Sequence, residues 1–188
     1  MNRRWLGAAL ATVGLSLLLY GTWIPAKAWL AQQLLESAWE NSLRTGERQR
    51  PWPWADHWPV AELRLPGRRL IVLAGDQGPV LAFAPGHSPR SGLPGDTLTT
   101  VISGHRDTHF RELHQLGHGD ELSLATRQGR YRYRVADRQI LDARRDRLSL
   151  RDDGALLLVT CWPPQALTVG GPQRLIVRAE RIDPAEAD

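Results

Sequence analysis

The chain is 188 residues long, which allows one ordinary domain and an appendage. Its net charge of +4 comes almost entirely from arginine, and the arginines are scattered among acids, as in Asp142-Ala-Arg-Arg-Asp-Arg147. With no helix-turn-helix, RNP or zinc-finger signature, that pattern describes a solvated surface and argues against a nucleic-acid partner; a single cysteine, Cys161, excludes an intramolecular disulfide.

The front of the chain reads as an export signal. Asn2-Arg3-Arg4 is a positive start, and Trp5 to Ile24 run for 20 residues without a charge, the length that crosses bilayer hydrocarbon as a helix. Trp5, Tyr20 and Trp23 stand near the ends, where aromatic side chains favour the membrane interface. Ala26-Lys27-Ala28 offers a cleavage pattern, but the apolar stretch exceeds the length usual for a cleaved signal. Residues 1–28 are therefore expected to be a cytoplasmic N-terminus and a transmembrane signal anchor. The rest of the chain is expected on the periplasmic or extracytoplasmic side of the inner (cytoplasmic) membrane.

Trp29, Leu30, Leu34, Leu35, Ala38 and Trp39 recur at three- and four-residue spacing. This predicts an amphipathic helix from Pro25 to about Leu43, closed by Gly46. Arg50-Pro-Trp-Pro-Trp-Ala-Asp-His-Trp-Pro59 forbids a helix interior and predicts an extended lead-in with its tryptophans on the outside of the domain. Residues 29–58 are thus a helix and a Pro/Trp-rich lead-in.

Short strand signals fill 59–182. They are Val60–Leu65, Arg69–Leu73 across a Pro66-Gly67 turn, Asp96–Ser103, Glu121–Ala125, Tyr131–Leu141, Ala155–Cys161 and Gln173–Ala179. Val80–Phe83 reads as helical or irregular, Ala84–Gly95 as a long Gly/Pro loop, and Leu113–Asp120 as a turn-rich connection. Seven or eight short strands with few helices between them predict an all-β barrel or sandwich. Residues 183–188 form a polar tail.

The chemistry concentrates at strand ends. Ala155-Leu-Leu-Leu-Val159 is an apolar run stopped by Trp162 and two prolines, which leaves Cys161 on a fixed element at an opening. Thr99-Thr-Val-Ile-Ser-Gly-His105 is a second apolar strand, ending in a histidine. In Gln173-Arg-Leu-Ile-Val-Arg178 a strand places Arg174, Ile176 and Arg178 on one face. A cysteine, a histidine and an arginine so placed suit thiol-based acyl transfer, with an arginine able to donate to a developing oxyanion.

In their order these segments resemble the sortases. Ser103-Gly-His-Arg-Asp-Thr-His-Phe110 resembles the histidine motif of that family, Leu158-Val-Thr-Cys161 its nucleophile motif, and Arg174-Leu-Ile-Val-Arg-Ala179 its arginine strand. Pro85-Gly-His87 and Leu93-Pro-Gly95 resemble elements ahead of the histidine strand. The lead-in Pro51-Trp-Pro-Trp-Ala-Asp56 is similar to that of the proteobacterial (Gram-negative) sortases. The resemblance covers about Val60 to Ala179. It implies an eight-stranded β-barrel and a cysteine transpeptidase that needs no cofactor or metal. Its implied partners are a secreted protein with an LPXTG-like C-terminal sorting signal and an amine acyl acceptor in the cell envelope. By the same resemblance Cys161 is the nucleophile, His105 the general acid/base and Arg174 the oxyanion donor, with Thr160 contributing to substrate binding.

Two other readings stand beside this one. His105, His109, His114 and His118 lie within 14 residues and could hold a metal, although Gly104, Gly117 and Gly119 break the helix that paired ligands need. A membrane-tethered barrel could also bind a peptide without chemistry.

Overall fold

The computed structural model describes residues 3–166 and 170–182, with only the backbone of residues 3–6, 8–10 and 19. The polar tail and residues 167–169 therefore lie outside the described residues. A 43-residue helix, α1 (Arg3–Thr45), leads into eight strands: β1 (Pro59–Leu65), β2 (Arg68–Ala74), β3 (Gly86–His87), β4 (Thr100–Ser103), β5 (Glu121–Ala125), β6 (Arg130–Asp142), β7 (Leu156–Cys161) and β8 (Gln173–Arg181). A one-turn helix, α2 (Gly78–Leu81), follows β2, and a 3₁₀ turn spans Leu113–Gln115. The strands close in the order β1-β2-β3-β4-β7-β8-β6-β5, so the all-β expectation resolves as a barrel with no open edge.

Period-2 patterning decides which side chains fill it. Tyr131, Tyr133 and Val135 point into the core while Arg130, Arg132 and Arg134 stay exposed. Leu63, Val72, Ile102, Leu124, Leu156, Leu158 and Val177 join them in one buried cluster. Strand β7 is covered on both faces. Outside the barrel Leu157 packs with Val101 and Ile176, against which Leu141, Leu148, Leu150 and Val159 lie. That double burial explains why β7 is a continuous apolar run and not an alternating one.

The expected amphipathic helix is present, but it is continuous with the preceding segment, with Pro25 inside one helix. Its C-terminal half docks on the barrel through Leu35 and Trp39, which pack against Ile71, Leu73 and Ala84. Burying those two side chains contributes about 2–3 kcal/mol each. Gln32 Nε2 donates to the Phe83 carbonyl at 2.7 Å. The helix ends as predicted at Gly46, whose φ of 73° suits glycine and whose N–H bonds the Ser42 carbonyl.

The expected anchor, Trp5–Ile24, forms part of the N-terminal half of this helix. Among the described residues, which leave out the side chains of residues 3–6, 8–10 and 19, no helix is long and apolar enough to cross a membrane. One departure from expectation is β3, which forms inside the stretch expected to be a loop. It pairs parallel to β2 and antiparallel to β4.

Candidate active site

Register assembles the site. Strands β4 and β7 run parallel with Ser103 beside Val159, so both end at the same pole of the barrel. The chain leaves β4 through Gly104, whose N–H donates to the Val159 carbonyl at 3.0 Å. The Thr160 hydroxyl donates to the Gly104 carbonyl at 2.8 Å. A Cβ on Gly104 would sit 2.7 Å from the ring of Phe110, so only glycine lets the chain turn there against the core. These bonds deliver His105 to the rim beside Cys161.

Strand β8 supplies the third group. It runs antiparallel to β7 with Cys161 directly opposite Arg174. Cys161 and Arg174 therefore share the outer face. Leu175 and Val177, on the opposite face of β8, fill the core. Arg178 is opposite Leu157, about 13 Å further from the pole at the usual rise per residue. It is held there by Asp153 at 3.0 Å.

His105 and Cys161 line one cleft of about 350 Å³, together with Arg106, Asp107 and Asp142 and, after Cys161, Trp162, Pro163, Ala166 and the residues from Gly170 to Gln173. His105 is exposed and Cys161 half-buried, as an accessible proton shuttle and nucleophile require. Arg174 stands next to the thiol in register but does not line this cleft. Its Nη1 donates to the carbonyls of Gly171 and Gln173. Thr160 is buried, with its hydroxyl turned to Gly104 and away from the cleft.

The second histidine of the motif sits elsewhere. His109 lines a separate cavity of about 190 Å³ with Leu65, Pro66, Arg68 and Leu113. Burial, followed by the charges of Arg68 and His105, lowers its pKa to about 4. It stays neutral near neutral pH and does not face the thiol. His114 bonds the Arg111 carbonyl through Nδ1 at 3.0 Å. Among the described residues no three His, Cys, Asp or Glu side chains gather as a metal site.

Arg106 was not legible as part of the site, since it reads as one more surface charge. Its guanidinium forks onto Asp107, with Nε to Oδ1 at 2.7 Å and Nη2 to Oδ2 at 2.9 Å. That hydrogen-bonded cation holds the Asp107 carboxyl below the usual carboxylate range, and Asp107 in turn holds the guanidinium above its own. Nη1 and Nη2 also reach the carbonyls of Pro163 and Ala166, at 2.8 and 3.1 Å.

Similar proteins give this barrel a family. The Sortase domain model matches residues 63–182, and the chain belongs to the sortase family. Sortase D of Bacillus subtilis (strain 168) is 29% identical over 127 residues, which are 65% of this chain and 63% of that protein. The chain thus matches less than two thirds of that relative's length. A Clostridium perfringens Sortase D5 transpeptidase has the same fold with a TM-score of 0.65 at 21% identity, over 82% of this chain and 99% of that one. Sortase A from Corynebacterium diphtheriae, as a lid mutant, gives 0.61 at 22% identity, over 85% and 93%.

Proposed function

We propose that this chain is a cysteine transpeptidase that cleaves an LPXTG-like C-terminal sorting signal of a secreted protein and passes the acyl group to an amine in the cell envelope. The observation that carries the reading is the pairing of Cys161 with Arg174 on the outer face of β7 and β8, with His105 in the cleft beside the thiol. The Cys161 thiolate attacks the carbonyl carbon of the signal's Thr, whose amide bond to the next residue breaks. His105 protonates the departing amine, giving a thioester, and later takes a proton from the incoming amine. Arg174, opposite Cys161 in register, donates to the oxyanion. Thr160 contributes through its backbone and by holding Gly104, and hence His105, in place.

The N-terminal half of α1 is the attachment to the membrane. Val13, Leu15, Leu17, Leu18, Trp23 and Ile24 are exposed along it, and a large apolar surface of that kind needs cover. Arg3 and Arg4 favour a cytoplasmic N-terminus, which supports a reading with the barrel on the extracytoplasmic side of the inner membrane. The Pro51–Asp56 lead-in is the feature that groups the chain with the Gram-negative sortases.

The test is mass spectrometry of the full chain turning over an LPXTG peptide. A thioester on Cys161 that hydroxylamine releases is the expected result. No adduct, together with peptide cleavage that persists in Cys161→Ala, would overturn the proposal.

A further inference from the structure

Arg106 occupies an unusual position for a residue on a surface loop. Its side chain is 10% exposed, whereas that of Asp107 beside it is 65% exposed. One guanidinium makes four hydrogen bonds: two to the Asp107 carboxylate, one to the Pro163 carbonyl and one to the Ala166 carbonyl. The last two cross the cleft, from the loop that carries His105 to the segment that follows Cys161. That segment is also tied to β8, by Trp162 N–H to the Gln173 carbonyl at 3.0 Å and by Arg174 to the Gly171 carbonyl, and to the end of β6 by Ala143 N–H to the Pro172 carbonyl at 2.9 Å. A planar guanidinium can serve a carboxylate and two carbonyls together; a lysine ammonium, a point charge on a flexible stem, cannot match that layout.

We propose that Arg106 is a positioning residue that latches residues 162–166, directly after Cys161, across the cleft, and that the latch sets how tightly the sorting-signal peptide is held. The inference rests on the transpeptidase reading for its substrate, but the latch itself does not. Asp107 fixes the plane of the guanidinium from one side, and the carbonyls of Pro163 and Ala166 use the other. With the latch made, Trp162 and Pro163 stand as one wall of the cleft, against which an extended peptide can lie on its way to Cys161. With the latch lost, that wall must be ordered when peptide binds, and binding weakens.

The experiment compares the full chain with Arg106→Gln, Arg106→Lys and Asp107→Asn, after circular dichroism and thermal melting show each barrel folded. Amide hydrogen exchange over residues 162–173, measured without substrate, reads the latch. The KM and kcat for an LPXTG peptide read its consequence. Arg106→Gln removes both bonds across the cleft and is expected to speed exchange in that segment at least about tenfold, since one charge-assisted hydrogen bond alone is worth about that factor. Strands β7 and β8 should keep their protection. KM should rise about tenfold with kcat little changed, since the lost interaction is with the wall and not with the transition state. Arg106→Lys should repair little of this, and Asp107→Asn should show a smaller loss of the same kind. Unchanged exchange in Arg106→Gln, full rescue by lysine, or faster exchange with an unchanged KM would each overturn the proposal. Absence of turnover by the wild-type chain would instead sink the transpeptidase reading, while the exchange measurement would still decide the latch.

Discussion

His105 and Arg174 divide the proposed reaction between proton transfer and charge stabilisation, and their variants should differ accordingly. His105→Ala should cost about 10²–10⁴ in kcat as a lost general acid/base. Arg174→Ala should cost about 10²–10³ as a lost oxyanion donor, and Arg174→Lys should recover only part because it lacks the fork. Arg178 lies on the same face of β8 but is engaged with Asp153, which also accepts from the Thr99 hydroxyl and the Ala155 N–H. Arg178→Ala should therefore turn over peptide at near wild-type rate and melt at a lower temperature. Peptide transpeptidation with matched melting curves checks all four; a crippled but stable Arg178→Ala would put the oxyanion donor at the wrong position. That Cys161, His105 and Arg174 come to one pole was legible because each ends or begins an apolar strand, where sequence position and surface access coincide. Arg106 was not, because scattered arginines look alike until a fold shows which one is covered. Thr160 was legible as a neighbour of the nucleophile, but the alternation of β7 turns its side chain to the opposite face.

Among the elements, the strands with a regular pattern could be read in advance and the irregular ones could not. Strand β6 announced itself through alternating tyrosines and arginines, and β7 through its unbroken apolar run. Strand β3 is two residues long inside a Gly/Pro-rich stretch, and no periodicity exists at that length; it is held by pairing with β2 and β4. The joint between α1 and the barrel also carries a charged group that patterning alone does not reveal. Glu62, buried on β1, accepts from Arg64 at 2.6 Å and from Arg69 at 2.7 Å, and Arg69 also approaches Glu36 of α1 at 3.8 Å. Burial alone would raise the Glu62 pKa, but the two arginine hydrogen bonds outweigh it and the net shift is downward. Such a carboxylate adds stability above its unfolded-state pKa, and the contribution fades as pH falls through the lowered folded-state value. Glu62→Gln is expected to cost about 1–3 kcal/mol near neutral pH. The gap between variant and wild type should shrink in acid. Denaturant titrations at about pH 7 and about pH 3 check this; an undiminished gap in acid would show that shape and not charge is what Glu62 supplies.

On the scale of the whole molecule, α1 divides into two halves along its length of about 65 Å. Its C-terminal half is part of the folded domain, with Leu35, Ala38, Trp39 and Ser42 buried and Arg127 reaching back to donate to the Gly46 carbonyl at 2.6 Å. Its N-terminal half carries the exposed leucines, Trp23 and Ile24, which no other part of the described chain covers. The continuity of the helix through Pro25 matters to the proposed attachment, because a rigid rod would carry a fixed direction from it to the barrel and so set how far the Cys161 pole stands from the membrane. Cutting the chain between Lys27 and Ala28 should separate what the two halves do. The fragment 28–188 keeps Gln32 and the buried helix face, so it should melt at the temperature of the full chain and cleave free peptide equally well. In flotation with phospholipid vesicles the full chain should rise with the lipid and the fragment should stay at the bottom. A full chain that stays with the fragment would remove the membrane attachment. A fragment that floats would move the attachment to the amphipathic half of the helix.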